Sequence, residues 1–205
     1  MSVNPSLSGT EAFEYLIDGL FNNQVGTIAD FLTPELVDGL HKNLLQRLHN
    51  GSMHPAGIGR KFDFVQNTSV RGDIISWIDD DTKDPFEQEF LKIISEFSSY
   101  LNATCYSGIK SWEFHYALYA PLSFYKRHKD QFLNNRGRQF SLIHYLNDDW
   151  NDMDGGQLVI YQNEKKEVIL PTGGRVVFFK ADQTEHEVLP SIKPRMSIAG
   201  WLKDI

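Results

Sequence analysis

The sequence predicts an α+β protein with helices in the first half of the chain and a double-sheet jelly roll or barrel in the second. Residues 9–101 contain three segments whose apolar side chains recur every three or four positions, the spacing of an amphipathic helix. Residues 111–205 contain six short runs of aromatic and β-branched residues broken by turn residues, which is typical of short strands in two sheets. The length of 205 residues, with 41% hydrophobic and 23% charged residues, fits one soluble globular domain spanning residues 1–205.

The helical half begins with a predicted helix over residues 9–22, followed by a short extended segment over residues 25–32. Thr33 fits the N-cap of a second helix, because a proline follows it in the first helical position. Asn50-Gly51 ends that helix, and a third is predicted over residues 85–101.

The second half is predicted to be all strand and turn. Before it, in the helical half, a loop is predicted at residues 51–59, which are rich in glycine and small residues and directly follow the second helix. The predicted strands are residues 112–119, 139–146, 156–161, 167–170, 175–180 and 196–202.

Charge and composition exclude several classes of protein. A net charge of −7 and a pI near 5.5 argue against a broad basic face, so nucleic acid is not an expected partner. No stretch approaches the roughly 18 to 20 apolar residues that span a bilayer, and residues 1–10 lack the pattern of a signal peptide. Cys105 is the only cysteine, which fits a reducing compartment. We therefore expect a cytoplasmic protein without a membrane partner.

His128, Asp130 and His186 are candidate metal ligands. On an extended segment, His128 and Asp130 point to the same face, and His186 follows 58 residues later, where the chain is expected to return to the sheet. Two imidazoles and one carboxylate leave three positions open on an octahedral metal, enough for a bidentate oxoacid and dioxygen. A closed zinc site usually needs several thiolates, which Cys105 alone cannot supply. The alternative for the first pair is a solvated loop, because His-x-Asp also occurs by chance.

Arg195 lies nine residues after His186, in a segment that leads into the last predicted strand. Its planar guanidinium can grip a carboxylate through two parallel charge-assisted hydrogen bonds, as required to hold the far end of 2-oxoglutarate. Taken alone, Arg195 fits an ordinary surface arginine better than a cosubstrate anchor. The two histidines and the aspartate favour the functional interpretation.

A resemblance to a known family rests on motifs that run from Arg71 to the end of the chain. They occur in the order Arg71-Gly72-Asp73-Ile74-Ile75-Ser76-Trp77-Ile78, His128-Lys129-Asp130, Ile143-His144-Tyr145-Leu146-Asn147-Asp148-Asp149-Trp150, Gly155-Gly156-Gln157-Leu158, Phe178-Phe179, His186-Glu187-Val188-Leu189-Pro190, Arg195 and Trp201. The set resembles the prolyl 4-hydroxylase branch of the 2-oxoglutarate oxygenases. The most similar subfamily is the oxygen-sensing prolyl hydroxylases that act on hypoxia-inducible factor, together with their bacterial relatives.

The resemblance implies a double-stranded β-helix, or jelly roll, with the N-terminal helices packed on one sheet. It implies Fe(II) held by the three candidate ligands, 2-oxoglutarate and O2 as cosubstrates, and ascorbate as a reductant. Tyr145 and Tyr119 match positions that meet the cosubstrate or the metal-bound species. The residues that match the wall and mouth of the substrate pocket are Trp201, Arg138, Tyr125, Asp73 and Trp77. Asp73 and Arg138 are expected to pair across its lip, and the alternative is that they are two separate solvated charges.

The implied reaction is hydroxylation of a prolyl residue in a protein, coupled to conversion of 2-oxoglutarate to succinate and CO2. In bacterial relatives a translation elongation factor is one such substrate. One alternative is a related oxygenase that acts on a free amino acid or another small molecule. A second is a metal-binding sensor domain without turnover.

Overall fold

In the computed structural model, which describes residues 9–57, 70–131, 137–162 and 165–205, three α-helices pack on one side of two antiparallel sheets. The helices are α1 (Gly9–Asn23), α2 (Pro34–His49) and α3 (Pro85–Cys105). The strands are β1 (Val25–Ile28), β2 (His54–Pro55), β3 (Asp73–Trp77), β4 (Ser111–Tyr119), β5 (Tyr125–His128), β6 (Arg138–Tyr145), β7 (Leu158–Gln162), β8 (Lys165–Ile169), β9 (Val176–Lys180), β10 (Glu185–Val188) and β11 (Arg195–Lys203).

The helices begin at capping side chains that the sequence supplies. The hydroxyl of Thr33 accepts a hydrogen bond from the backbone N–H of Leu36 at 3.3 Å, which confirms the predicted cap of α2. A carboxylate oxygen of Asp84 accepts from the backbone N–H groups of Phe86 and Glu87 at 3.0 Å each, at the start of α3. These caps satisfy amide groups that the first turn of a helix leaves without partners.

The two sheets have different positions in the molecule. The large sheet has the strand order β1-β9-β6-β11-β4-β3-β2 and carries the helices on one face. The small sheet has the order β5-β10-β7-β8 and packs against the other face of the large sheet. The result is three layers: helices, large sheet and small sheet.

Alternation along the strands of the large sheet builds two separate cores. In β9, Val176 and Phe178 pack in the core that faces the helices, whereas Val177 and Phe179 pack in the core between the sheets. All four side chains are fully buried. Burial of each apolar side chain of this kind stabilises the fold by about 1.5–3 kcal/mol. Every strand residue of the large sheet therefore belongs either to the helical face or to the face that meets the small sheet, which we call the inner face.

The predicted class is confirmed: helices precede a jelly-roll core and pack on one of its sheets. The sequence pattern does not identify β2, β3, β5 or β10 as strands. The loop prediction is wrong at His54–Pro55, which pair with β3, while residues 58 and 59 lie outside the described residues. β5 and β10 have four residues each and include several charged side chains, so they lack a run of apolar or β-branched residues that a pattern could detect.

Candidate functional site

A group of three metal-binding side chains lies where β5 meets β10. The antiparallel register of these strands places His128 directly opposite His186, and Asp130 follows two residues after the end of β5. One ligand atom from each of the three residues lies within 4.8 Å of the others. The Oδ1 atom of Asp130 is 3.4 Å from Nε2 of His128 and 3.7 Å from Nε2 of His186. These three residues, which the sequence predicts as ligands, could therefore hold one metal ion.

Neighbouring groups orient each of the three side chains. The Nδ1 atoms of His128 and His186 lie 2.7 and 3.3 Å from the carbonyl oxygens of Lys126 and Thr184. A carbonyl only accepts, so Nδ1 carries the proton in both rings and Nε2 keeps its lone pair for a metal. The hydroxyl of Ser141 on β6 donates to Oδ2 of Asp130 at 2.6 Å.

Aromatic rings complete the surroundings of the two imidazoles. The ring of Tyr125 stacks on that of His128 with their centres 3.5 Å apart, and the ring of Phe179 lies 4.8 Å from that of His186. Both contacts restrict rotation of the imidazoles. The ligand set is therefore held in place by its own protein surroundings.

The protonation states of the group suit a divalent metal. Burial raises the pKa of Asp130, but the imidazoles of His186 and His128 and the hydroxyl of Ser141 lower it more, so that it lies well below its usual range. Burial lowers the pKa of His186 to about 4. At neutral pH the site therefore offers a carboxylate and a neutral imidazole, the forms that coordinate metals.

Arg195 is buried at the start of β11 without a complete set of partners. Its Nε–H donates to the carbonyl of Gly156 at 2.9 Å, while its Nη2 has no hydrogen-bond partner. The guanidinium carbon lies 5.1 Å from the ring centre of Tyr119 and 5.0 Å from that of Tyr145. The Tyr145 hydroxyl is also buried and makes no hydrogen bond. Since burying an unpaired charge is costly, this pocket fits an anionic ligand.

The pocket requires a glycine at position 156. Gly156 has φ +70°, a conformation that L side chains rarely adopt, and an added Cβ would come within 3.2 Å of Cδ of Arg195. Burial raises the pKa of Tyr145, although the charge of Arg195 acts in the opposite direction. The tyrosine is therefore a neutral hydrogen-bond donor beside the guanidinium at physiological pH.

Strand register places the arginine pocket on the inner face, which also meets β5 and β10. Arg195 on β11 lies opposite Tyr119 on β4, and Ser197, two residues further, lies opposite Tyr145 on β6. Ser141, four residues before Tyr145, shares its face and touches Asp130. The structure therefore brings all six predicted metal and cosubstrate residues to the space between the two sheets.

The predicted substrate-pocket residues occupy two regions. Arg138 stacks on Trp201, its guanidinium carbon 3.3 Å from the ring centre, and its Nη1 donates to the main-chain oxygen of Asp130 at 3.3 Å. Trp77 is 46% exposed, with its ring centre 6.5 Å from that of Trp201. Tyr125 lies further along the metal group, stacked on His128.

The expected ion pair between Asp73 and Arg138 does not form. Asp73 instead pairs with Arg71 at 2.5 Å, and Arg138 pairs with Glu113 at 2.7 Å. The reason is register: Asp73 lies opposite Tyr119, whereas Arg138 reaches β4 through Lys203, at the level of Ser111. Eight residues of extended strand separate these levels, about 25 Å, too far for the two side chains to span.

Ser141 and Gly156 are site residues whose roles the sequence pattern does not reveal directly. Ser141 precedes Tyr145 by four residues in a strand, so alternation alone would have placed it on the same face.

Within the described residues, no helix is long and apolar enough to cross a membrane.

This chain is similar to several known proteins. Residues 114–203 match the family model of the 2OG-Fe(II) oxygenase superfamily. Among curated proteins, human Egl nine homolog 1 is 27% identical over 94% of this chain and 47% of its own length. The chain spans about half the length of the first curated relatives that it matches.

Two solved structures are similar over nearly the whole chain. A Pseudomonas putida prolyl-4-hydroxylase has a TM-score of 0.84 and 29% identity, covering 94% of this chain and 99% of its own. A Trichoplax adhaerens prolyl hydroxylase, solved with a hypoxia inducible factor oxygen degradation domain peptide fragment, has a TM-score of 0.86 and 27% identity, covering 96% and 90%. The chain is therefore similar to 2OG-Fe(II) oxygenases over residues 114–203, and it shares the fold of these two prolyl hydroxylases.

Proposed function

We propose that this chain is an Fe(II)- and 2-oxoglutarate-dependent dioxygenase that hydroxylates a prolyl residue of a protein, with release of succinate and CO2. One observation carries the proposal. A group of two histidines and one aspartate meets the same inner face of the large sheet as a buried arginine with an unpartnered Nη2 atom. The first group suits a metal with open positions, and the second suits the distal carboxylate of an oxoacid.

In this proposal His128, Asp130 and His186 hold the iron. Two neutral imidazoles and one carboxylate are the donor set of non-haem Fe(II) oxygenases, and they leave part of the coordination sphere open. Bound iron supplies the activation of O2 that couples loss of CO2 from 2-oxoglutarate to oxidation of the substrate. Ser141 keeps the carboxylate of Asp130 oriented through its hydrogen bond to Oδ2.

Arg195 and two tyrosines would bind the cosubstrate. The free Nη2 of Arg195 and the hydroxyl of Tyr145 can both donate to the distal carboxylate, which satisfies two buried groups that otherwise lack partners. The ring of Tyr119 covers the guanidinium from another side. Since Nε is already bonded to Gly156, the arginine is fixed before the ligand arrives.

The substrate is proposed to be a proline within a peptide segment. Trp77, Tyr125 and Trp201 offer large aromatic surfaces that can cover a proline ring and its flanking chain with little loss of rotamer freedom. The structural relative solved with a peptide supports a peptide substrate. A translation elongation factor, the substrate expected from bacterial relatives, is the first candidate to test.

The test is mass spectrometry of candidate proteins after incubation with the purified chain, Fe(II), 2-oxoglutarate and O2. We expect one added oxygen on a proline together with an equal amount of succinate. Hydroxylation of free L-proline, with none on protein or peptide, would replace this proposal with the small-molecule oxygenase. Metal binding without any succinate would favour the sensor domain.

A further inference from the structure

A second set of unpartnered polar atoms lies on the inner face beside the metal group. His115 on β4 lies opposite Trp77 on β3 and opposite Ala199 on β11, whose methyl side chain leaves room for the imidazole. Its ring centre is 5.5 Å from that of Trp201 and 4.9 Å from that of Trp77. We call the pair formed by the His115 and Trp201 rings the amide recess.

The recess borders the metal group through two contacts. Ser141, which donates to Asp130, lies opposite Trp201 in the sheet. Arg138 stacks on the other side of Trp201 and donates to the main-chain oxygen of Asp130. A substrate held beside Trp201 would therefore lie next to the proposed iron ligands, on the side of Asp130.

Both rings keep a nitrogen without a partner. Nδ1 of His115 and Nε1 of Trp201 are buried and make no hydrogen bond. Buried nitrogens of this kind usually find a partner, because leaving one unpaired is costly. Burial lowers the pKa of His115 to about 4, so at neutral pH its ring is uncharged and has one N–H donor and one acceptor. The indole is a donor only.

The charged groups near the recess already have partners. Arg138 pairs with Glu113, which also receives Lys203 at 3.3 Å, and Arg71 pairs with Asp73. The recess therefore presents neutral hydrogen-bonding groups. These fit an amide better than the ammonium and carboxylate of a free amino acid, which need opposite charges.

From this we infer that the ring nitrogens of His115 and Trp201 bind a main-chain amide of the substrate and so select a residue within a peptide over a free amino acid. The inference rests on the proposed function and assigns the group that recognises the backbone next to the target residue. The indole N–H donates to the amide carbonyl. The imidazole completes the contact as donor or acceptor, according to its tautomer.

Binding can be tested without turnover by NMR of the full chain loaded with Zn(II) and 2-oxoglutarate. The chain has four tryptophans, and the indole N–H signal of Trp201 is the one lost in Trp201→Phe. N-acetylproline amide and N-acetylalanine amide should shift this signal, whereas free L-proline and L-alanine should not. An indole signal that no amide moves, or that the free amino acids move equally, overturns the inference.

Variants distinguish the loss of a substrate contact at His115 from the general effect of losing a buried histidine. His115→Leu should abolish the amide-induced shift and raise the KM for an oxygen degradation domain peptide about tenfold, the effect of one lost hydrogen bond. His115→Asn, which places an amide near the position of Nδ1, should recover most of both. His144→Leu, at a buried histidine on the helical face, is the matched control and should leave both readouts unchanged.

The outcomes distinguish this inference from the proposed function. If His115→Leu is folded by its melting curve and behaves as wild type, His115 does not contact the substrate. If His115→Leu does not fold, His115→Asn decides by the same two readouts. If the amides shift Trp201 but mass spectrometry finds no hydroxylated proline on any peptide, the prolyl assignment fails while amide recognition stands.

Discussion

Both faces of the large sheet carry buried polar atoms without hydrogen-bond partners, but the neighbours of these atoms differ between the two faces. On the inner face, Arg195, Tyr145, His115 and Trp201 each keep one buried atom without a hydrogen-bond partner, and they lie near the proposed iron ligands or beside one another. On the helical face, both ring nitrogens of His144 are unpartnered, as are single atoms of Trp112 and Ser98. Such atoms indicate a ligand only where their neighbours supply a place for one.

The surroundings of His144 make the contrast clear. Its ring contacts those of Phe31, Phe90 and Phe114 at centre distances of 5.7, 5.0 and 6.5 Å. These neighbours offer no hydrogen-bond partner, so leaving the two imidazole nitrogens unpaired is expected to cost stability. On the inner face, the cosubstrate and the substrate are expected to supply the missing hydrogen-bond partners when they bind.

The largest expected effect comes from the metal group. Asp130→Ala should reduce Fe(II)-dependent succinate formation to background, because it removes the only carboxylate of the group and leaves two imidazoles. Succinate release and bound iron are measured together, with Asp182→Ala, an exposed aspartate, as control. Full turnover in Asp130→Ala at limiting iron would remove Asp130 from the ligand set.

The next effect tests the arginine pocket. Arg195→Lys should weaken 2-oxoglutarate binding by about ten- to a hundredfold, since lysine keeps the charge but loses the planar fork. Calorimetric titration of 2-oxoglutarate into the Zn(II)-loaded protein gives the affinity, and iron affinity should change much less. Arg127→Lys, at a half-exposed ion pair with Glu185, is the control. Unchanged cosubstrate affinity would place the anchor elsewhere.

A smaller effect is expected at Ser141. Ser141→Ala removes the hydrogen bond to Oδ2 of Asp130 and should weaken metal binding by about tenfold while the fold is retained. Competition with a metal chelator measures the affinity. Ser98→Ala, at a buried serine of α3 that has no such bond, should not change it. Equal affinities in the two variants would mean that Asp130 needs no orienting partner.

The smallest effect should appear in stability. His144→Leu is expected to raise the free energy of unfolding by about 1 kcal/mol at pH 7, because it removes unpartnered polar atoms from an apolar core. Burial lowers the pKa of His144 to about 3, below the ordinary 6.5, so the unfolded chain binds the extra proton first. Wild type should lose stability through this group as pH falls from about 6.5 to about 3.

Urea unfolding at several pH values checks this prediction. The stability difference between His144→Leu and wild type should grow as pH falls through that window. A difference that stays constant with pH would show that His144 does not remain neutral in the folded state.

The elements predicted from the sequence are those with a strong periodic pattern. The three helices and the strands around residues 112–119 and 175–180 carry regular apolar spacing, and all are present. β5 and β10, which hold His128 and His186, have four mostly polar residues each and become strands because they pair with each other. Local pattern could not reveal them, since their partners lie far away in sequence.

In the candidate site, too, some features can be predicted from the sequence and others cannot. The metal group and Arg195 are predictable because their residue types and spacing indicate particular chemistry. The partners of Asp73 and Arg138 are not, because ion pairing depends on a register that only the folded sheet defines. His115 belongs to no motif in the sequence. It lies four residues before Tyr119 on β4, and that spacing alone places it on the same inner face.

The pairing of β5 with β10 also links iron to folding. The two histidines lie 58 residues apart in the chain and meet only through that long-range strand contact, so an unfolded chain presents no comparable site. Iron binding should therefore favour the folded state by mass action, contributing about 2.7 kcal/mol at a free concentration one hundred times the dissociation constant. The supply of metal would then influence how long the folded protein persists.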